Sequence, residues 1–139
     1  MLAPIETPQT PAPVGHYAQG LRVGNLLFTS GQLPMDPTTQ TFVSGDIGVL
    51  ARRVLDNLAA VVRAGGSTKE HILRVNVYLT DPLHAVKVNT AFAAFFGPEH
   101  KPTRTTVVVA QLPLGAALEM DAIAWVPGPS GTNSMPLDS

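Results

Sequence analysis

From Ile47 to Val61 the apolar residues fall at helical steps: Ile47, Leu50, Val54, Leu58 and Val61. Just beyond Gly65-Gly66 the period changes to two, over "ILRVNVYLT" from Ile72 to Thr80. A chain that switches period across a glycine pair must lay an amphipathic helix against a strand. Leu55 and Val62 widen the helical stripe, and Asp46 or Ser44 can cap its start. The glycine pair ends it, because glycine accepts the left-handed cap conformation. In the strand, alternation predicts Ile72, Arg74, Asn76 and Tyr78 on one side, with Leu73, Val75, Val77 and Leu79 on the other.

The same reading extends to both ends. Tyr17–Val23 and Leu26–Ser30 read as a hairpin about Gly24-Asn25. "QLPMDPTTQTFVSG" reads as a loop with turn chemistry at Asp36-Pro37. Asp81-Pro82 opens a second helix carrying Val88, Phe92, Phe95 and Phe96, which stops at Gly97-Pro98. Residues 101–126 read as two apolar strands around a short turn. The predicted order is β-β-α-β-α-β-β, an α+β sandwich of one four- to five-stranded sheet with two helices on one face. The other sheet face would be left apolar and bare, which predicts a second subunit against it. Composition agrees: 45% of the residues are apolar and 14% charged, where a lone domain carries nearer a quarter. Residues 1–14, with their prolines, read as a flexible N-terminal arm. Residues 15–127 form a single domain, and 128–139 read as a disordered tail.

Several functions are disfavoured. The chain has no cysteine, which removes disulfides and thiolate chemistry and suits the cytoplasm. Its four histidines, His16, His71, His84 and His100, form no metal-binding pattern. No phosphate-cradling loop or nucleophile elbow is present. A net charge of −1 offers a polyanion no favourable field. No apolar run reaches the ~18 residues of a membrane span, and the N-terminus does not read as a signal peptide.

The polar exceptions carry the chemistry. Arg104, Thr106 and Val108 share one face of their strand; Glu119, Asp121 and Ile123 share one face of theirs. If the two faces coincide, a guanidinium and carboxylates meet at one end of the sheet. The pair then reads either as a cross-strand ion pair or as a site. In a site, Arg104 would clamp a carboxylate with its planar fork and Glu119 would hold a water. Asn89, a polar residue in an apolar helical stretch, reads equally as a surface residue or a ligand-facing amide.

Together "VGHYAQG", "LLFTSGQLPMDP", "VNVYLTD", "VNTAFAAFFGPEHKPTR" and "VVVAQLPLGAALEMDAIA" resemble the YjgF/Rid reactive-intermediate deaminases, once labelled L-PSP endoribonucleases. The resemblance runs over residues 8–127. It implies a chorismate-mutase-like fold and a homotrimer with a site in each cleft between subunits. It also implies hydrolysis of 2-imino acids and their enamine tautomers, such as 2-iminobutanoate and 2-iminopropanoate, to 2-oxo acids and ammonia. The family's essential arginine falls on Arg104 and its water-holding glutamate on Glu119. Pocket positions fall on Tyr17, Ser30, Gly31, Asn89 and Thr106. No cofactor and no metal are implied. Three departures bear on substrate preference. Thr106 replaces a cysteine, His16 stands where proline or alanine is usual, and the first helix lacks a common glutamine. Two other functions follow from the same residues: a carboxylate-binding regulatory module without significant turnover, and, from the old label alone, a ribonuclease.

Overall fold

The computed structural model describes residues 2–128. Its elements in chain order are β1 (Leu2–Ile5), β2 (Gly20–Val23), β3 (Leu26–Thr29), β4 (Met35–Asp36), β5 (Thr41–Phe42), α1 (Ile47–Ala64), β6 (Ile72–Leu79), α2 (Ala85–Phe96), β7 (Thr103–Val108) and β8 (Leu118–Trp125). Six strands form one sheet in the order β1-β2-β3-β8-β6-β7, while β4 and β5 pair as a small separate hairpin. Among the described residues, no helix is long and apolar enough to cross a membrane.

The α+β reading stands, and the local signals set the helices. Asp46 caps α1, its Oδ1 accepting from the Val49 amide at 3.1 Å. Gly66 takes the left-handed conformation at the other end (φ 96°). Gly65 serves a different purpose: a Cβ there would overlap Leu27 Cδ1, so the helix end lies directly on β3. Asp81 caps a single 3-10 turn, Pro82–His84, which leads into α2.

One core holds the layers together. From α1 and α2 it takes Val54, Leu55, Leu58, Val61, Val88, Phe92 and Phe95; from the sheet, Leu27, Val75, Val77, Leu79, Leu118, Met120, Ala122 and Ala124. The sheet members all lie on one face. The opposite face exposes Val23, Leu26, Phe28 and Val107, each 40–43% accessible. The apolar, uncovered face expected from the sequence is therefore present.

Four expectations are corrected. First, the segment read as a flexible arm contains β1, which pairs antiparallel with β2, and its Ile5 and Thr10 are buried. Pro4 is tolerated because β1 is an edge strand. Two buried glutamines tie down the stretch that follows. Gln19 accepts from the Thr7 amide and donates to the carbonyls of Thr7, Thr10 and Pro11; Gln32 accepts from the Thr10 hydroxyl. The tail expected over 128–139 lies, beyond residue 128, outside the described residues.

Second, the strand expected over Tyr17–Val23 begins only at Gly20. Third, Leu73 does not face the core. A bulge between Ile72 and Arg74 shifts the register, so Ile72 is buried and Leu73 is exposed.

Fourth, residues 101–126 do not form a hairpin. β6 lies between the two strands, parallel to β7 and antiparallel to β8. The connecting segment passes over the end of β6. The Val109 amide donates to the Leu79 carbonyl at 2.7 Å on one side, and the Thr80 amide to the Ala117 carbonyl at 3.2 Å on the other.

Candidate functional site

The register fixes where the two charged residues point. Arg104 is opposite Val75, whose side chain is in the core, so Arg104 lies on the helix-facing side of the sheet. Glu119 is opposite Tyr78, on the other side. The two faces do not coincide. Arg104 and Glu119 of one chain therefore neither form an ion pair nor share a pocket. Among the described residues the ion pairs are Arg52–Asp56 and Lys87–Asp46.

The chain instead presents two separate candidate half-sites. The first gathers Tyr17, Ser30, Gly31 and Glu119 with Val14, Leu33 and Pro113 around an open cleft of ≈ 290 Å³. Glu119 comes from β8. The loop after β3 supplies Ser30 and Gly31, and its Gln32 amide bonds the Met120 carbonyl at 2.7 Å. That bridge presses Gly31 onto the glutamate: a Cβ at residue 31 would overlap Glu119 Oε2 and lie 2.8 Å from Cδ. The close approach that Gly31 permits is thus made by the carboxylate itself. Tyr17 edges the cleft, its hydroxyl accepting from the Val14 amide at 3.2 Å. The Ser30 hydroxyl donates to the Ala18 carbonyl, so it braces the loop.

Burial, and then the neighbouring Asp121 charge, push the Glu119 carboxyl above the ordinary glutamate range. Its carboxylate has no hydrogen bond or ion pair among the described residues. Asp121, two residues along the same face, is held by the Asn76 amide at 2.7 Å and the Tyr78 hydroxyl at 3.2 Å.

The second half-site lies on the opposite face, between α2 and the free edge of the sheet. The Arg104 guanidinium donates to Asn89 Oδ1 at 2.9 Å and sits 4.8 Å from the centre of the Phe92 ring. Asn89 thus turns toward the arginine. Thr106 shares the Arg104 face two positions along β7, exposed like the rest of that strand. The Phe92 ring and the Asn89 amide steady the guanidinium, and among the described residues no other group engages its N–H groups, a geometry suited to a carboxylate.

Behind the first half-site is a brace that sequence reasoning missed. Asn57, fully buried in α1, donates to the carbonyls of Leu33 at 3.1 Å and Met35 at 2.9 Å. Its Oδ1 accepts from Arg53 at 3.0 Å. A polar residue inside the apolar stripe of α1 was the available signal.

The comparisons with known proteins agree with this architecture. A family model described as Endoribonuclease L-PSP matches residues 7–126. The 2-iminobutanoate/2-iminopropanoate deaminase of Escherichia coli K12 is 40% identical over 123 residues, covering 86% of this chain and 94% of that protein. A RutC family protein of Pyrococcus abyssi is 40% identical over 121 residues, covering 87% of this chain and 94% of its own length. The crystal structure of E. coli TdcF with bound serine matches with a TM-score of 0.84 at 38% identity, covering 88% of this chain and 98% of that one. Matched along nearly the whole described fold, the chain belongs to the endoribonuclease L-PSP family, the YjgF/Rid family that its motifs resemble.

Proposed function

We propose that this chain is a hydrolytic deaminase of 2-imino acids and their enamine tautomers, yielding 2-oxo acids and ammonia in the cytoplasm. Its site would be completed between copies of the chain in a homotrimer. One observation carries the reading: an exposed guanidinium and an unpartnered carboxylate lie on opposite faces of one sheet, beside an uncovered apolar face. Neither half can act alone. A second copy seated against the bare face would bring its own half-site to this one.

The chemistry needs little more. The iminium carbon is already electrophilic, so water requires positioning more than strong activation. Arg104, steadied by Asn89, anchors the substrate carboxylate. Glu119 takes a proton from the water as the C–O bond forms. It returns that proton to nitrogen, and as the C–N bond breaks and ammonia leaves it takes the remaining hydroxyl proton, so that the carbonyl of the 2-oxo acid forms. Tyr17, Ser30, Gly31 and Thr106 line the pocket. The 40% identical E. coli relative named for this activity supports the assignment. The reaction also removes an electrophile before it can damage other proteins.

The bound serine in the TdcF crystal, a small carboxylate, favours a second reading: a carboxylate-binding regulatory module. Generating 2-iminobutanoate in situ with a threonine dehydratase and trapping the remainder with semicarbazide separates the two. A deaminase suppresses the trapped adduct, and its Arg104→Ala variant does not. A binding module leaves the adduct unchanged while retaining 2-oxo acids. The ribonuclease reading has only the family's description behind it, against a net charge of −1.

A further inference from the structure

We propose that Asp121, clamped by Asn76 and Tyr78, is a positioning residue for Glu119, its fixed negative charge reserving Glu119 as the carboxylate that exchanges protons. The inference rests on the hydrolytic reading for its catalytic consequence, but not for its structural content.

Two carboxylates two residues apart on one strand face lie about 7 Å from each other. Each disfavours ionisation of its neighbour, so the pair resolves according to which anion is better solvated by the protein. The structure divides them unequally. Asp121 accepts from the Asn76 amide through one oxygen and from the Tyr78 hydroxyl through the other. Both donors favour its charged form. Glu119 accepts from no described group, is partly buried, and lies against the hydrogen of Gly31.

The placement of Tyr78 reinforces the division. In the register of β6 and β8 it stands opposite Glu119, yet its hydroxyl reaches diagonally to Asp121. The hydroxyl of the residue opposite Glu119 is thereby committed elsewhere. Within one chain no other charge reverses this. The groups facing Glu119 there are Asp121 on its own strand, Tyr78 opposite it on β6 and Tyr17 at the edge of the cleft; in the proposed trimer Arg104 of a second copy would join them. Arg74 is engaged with the Thr105 hydroxyl on β7, and the segment Ser30–Gly31 carries no charge. Both Asp121 oxygens are therefore engaged, while those of Glu119 are left for exchange with water. A base whose proton affinity is raised in this way is matched both to accept a proton from water and to return it to a leaving amine.

The test is a carboxyl-carbon NMR titration of the full-length, ¹³C-labelled protein, with the Glu119 signal assigned by its loss in Glu119→Gln. Asp121→Asn keeps an oxygen to accept from Asn76 while removing the charge. The proposal expects the Glu119 midpoint to fall in Asp121→Asn, and the acidic limb of kcat/KM to move to lower pH with it, while KM changes less than about twofold. If Asp121→Asn does not fold, Tyr78→Phe takes its place: it frees Asp121 from one of its two donors, and the Glu119 midpoint should fall. An unchanged Glu119 midpoint in the variant that folds overturns the proposal. A wild type that hydrolyses no imine sinks the proposed reaction, but leaves the titration to decide the role of Asp121.

Discussion

Gly31 and Glu119 fit together only because residue 31 has no side chain. A Cβ there would occupy the space of the glutamate's Oε2. The obstructed atom is the free end of a flexible side chain, so an added methyl is accommodated by swinging the carboxylate away.

Gly31→Ala should therefore separate function from stability. Displacing a reacting group by about 1 Å costs on the order of 100-fold in rate, whereas moving the free end of a flexible side chain costs the fold little. We expect imine hydrolysis to fall by roughly that factor, with the thermal midpoint nearly unchanged. The semicarbazide assay and calorimetry on the same sample check both halves.

Glu119→Gln should lower kcat by about 10²- to 10⁴-fold, the usual contribution of a positioned acid–base group. It should also stabilise the protein at neutral pH. The folded state raises the Glu119 proton affinity, chiefly through burial and then through Asp121. The native state therefore binds more protons than the unfolded one between the ordinary glutamate range and the raised value. Stability contributed by this group falls as pH rises through that window and does not return above it. The neutral glutamine escapes the loss. Melting curves of the two proteins should converge in acid and separate toward pH 7. In the wild type, the same shift places the acidic limb of the activity profile above the ordinary glutamate range.

Asn57→Ala should be a stability mutant. It removes the donor from the Leu33 and Met35 carbonyls in a fully buried setting. Orphaning such groups costs about 1–3 kcal/mol each. Denaturant unfolding should show a loss of that order. Activity should fall as well, because the braced loop carries Gly31 and lines the Glu119 cleft.

How much of this was legible in the sequence depended on how local each signal was. The Asp46 cap and the Ile47–Val61 stripe are written in a few adjacent residues, and the structure places them as read; Asp81-Pro82, read as the start of the second helix, opens a 3-10 turn ahead of it. The insertion of β6 between β7 and β8 is not local. The apolar runs on either side of Pro113 look alike whether they pair with each other or flank a third strand. β1 was hidden by prolines that an edge strand tolerates. The core-facing turn of Ile72 depends on a bulge that alternation cannot announce. For the site, residue types were readable and their grouping was not. Whether Arg104 and Glu119 share a face is a matter of register, which only the assembled sheet decides.

The central claim is that each site takes Arg104 from one copy and Glu119 from another. Co-expressing Arg104→Ala and Glu119→Gln chains, each inactive alone, tests it most directly. In any mixed cyclic trimer one interface joins an intact arginine to an intact glutamate. Random equal mixing should therefore restore about one quarter of wild-type activity. Activity no greater than that of the two inactive parents would place both residues in the service of a single chain, and would contradict the account.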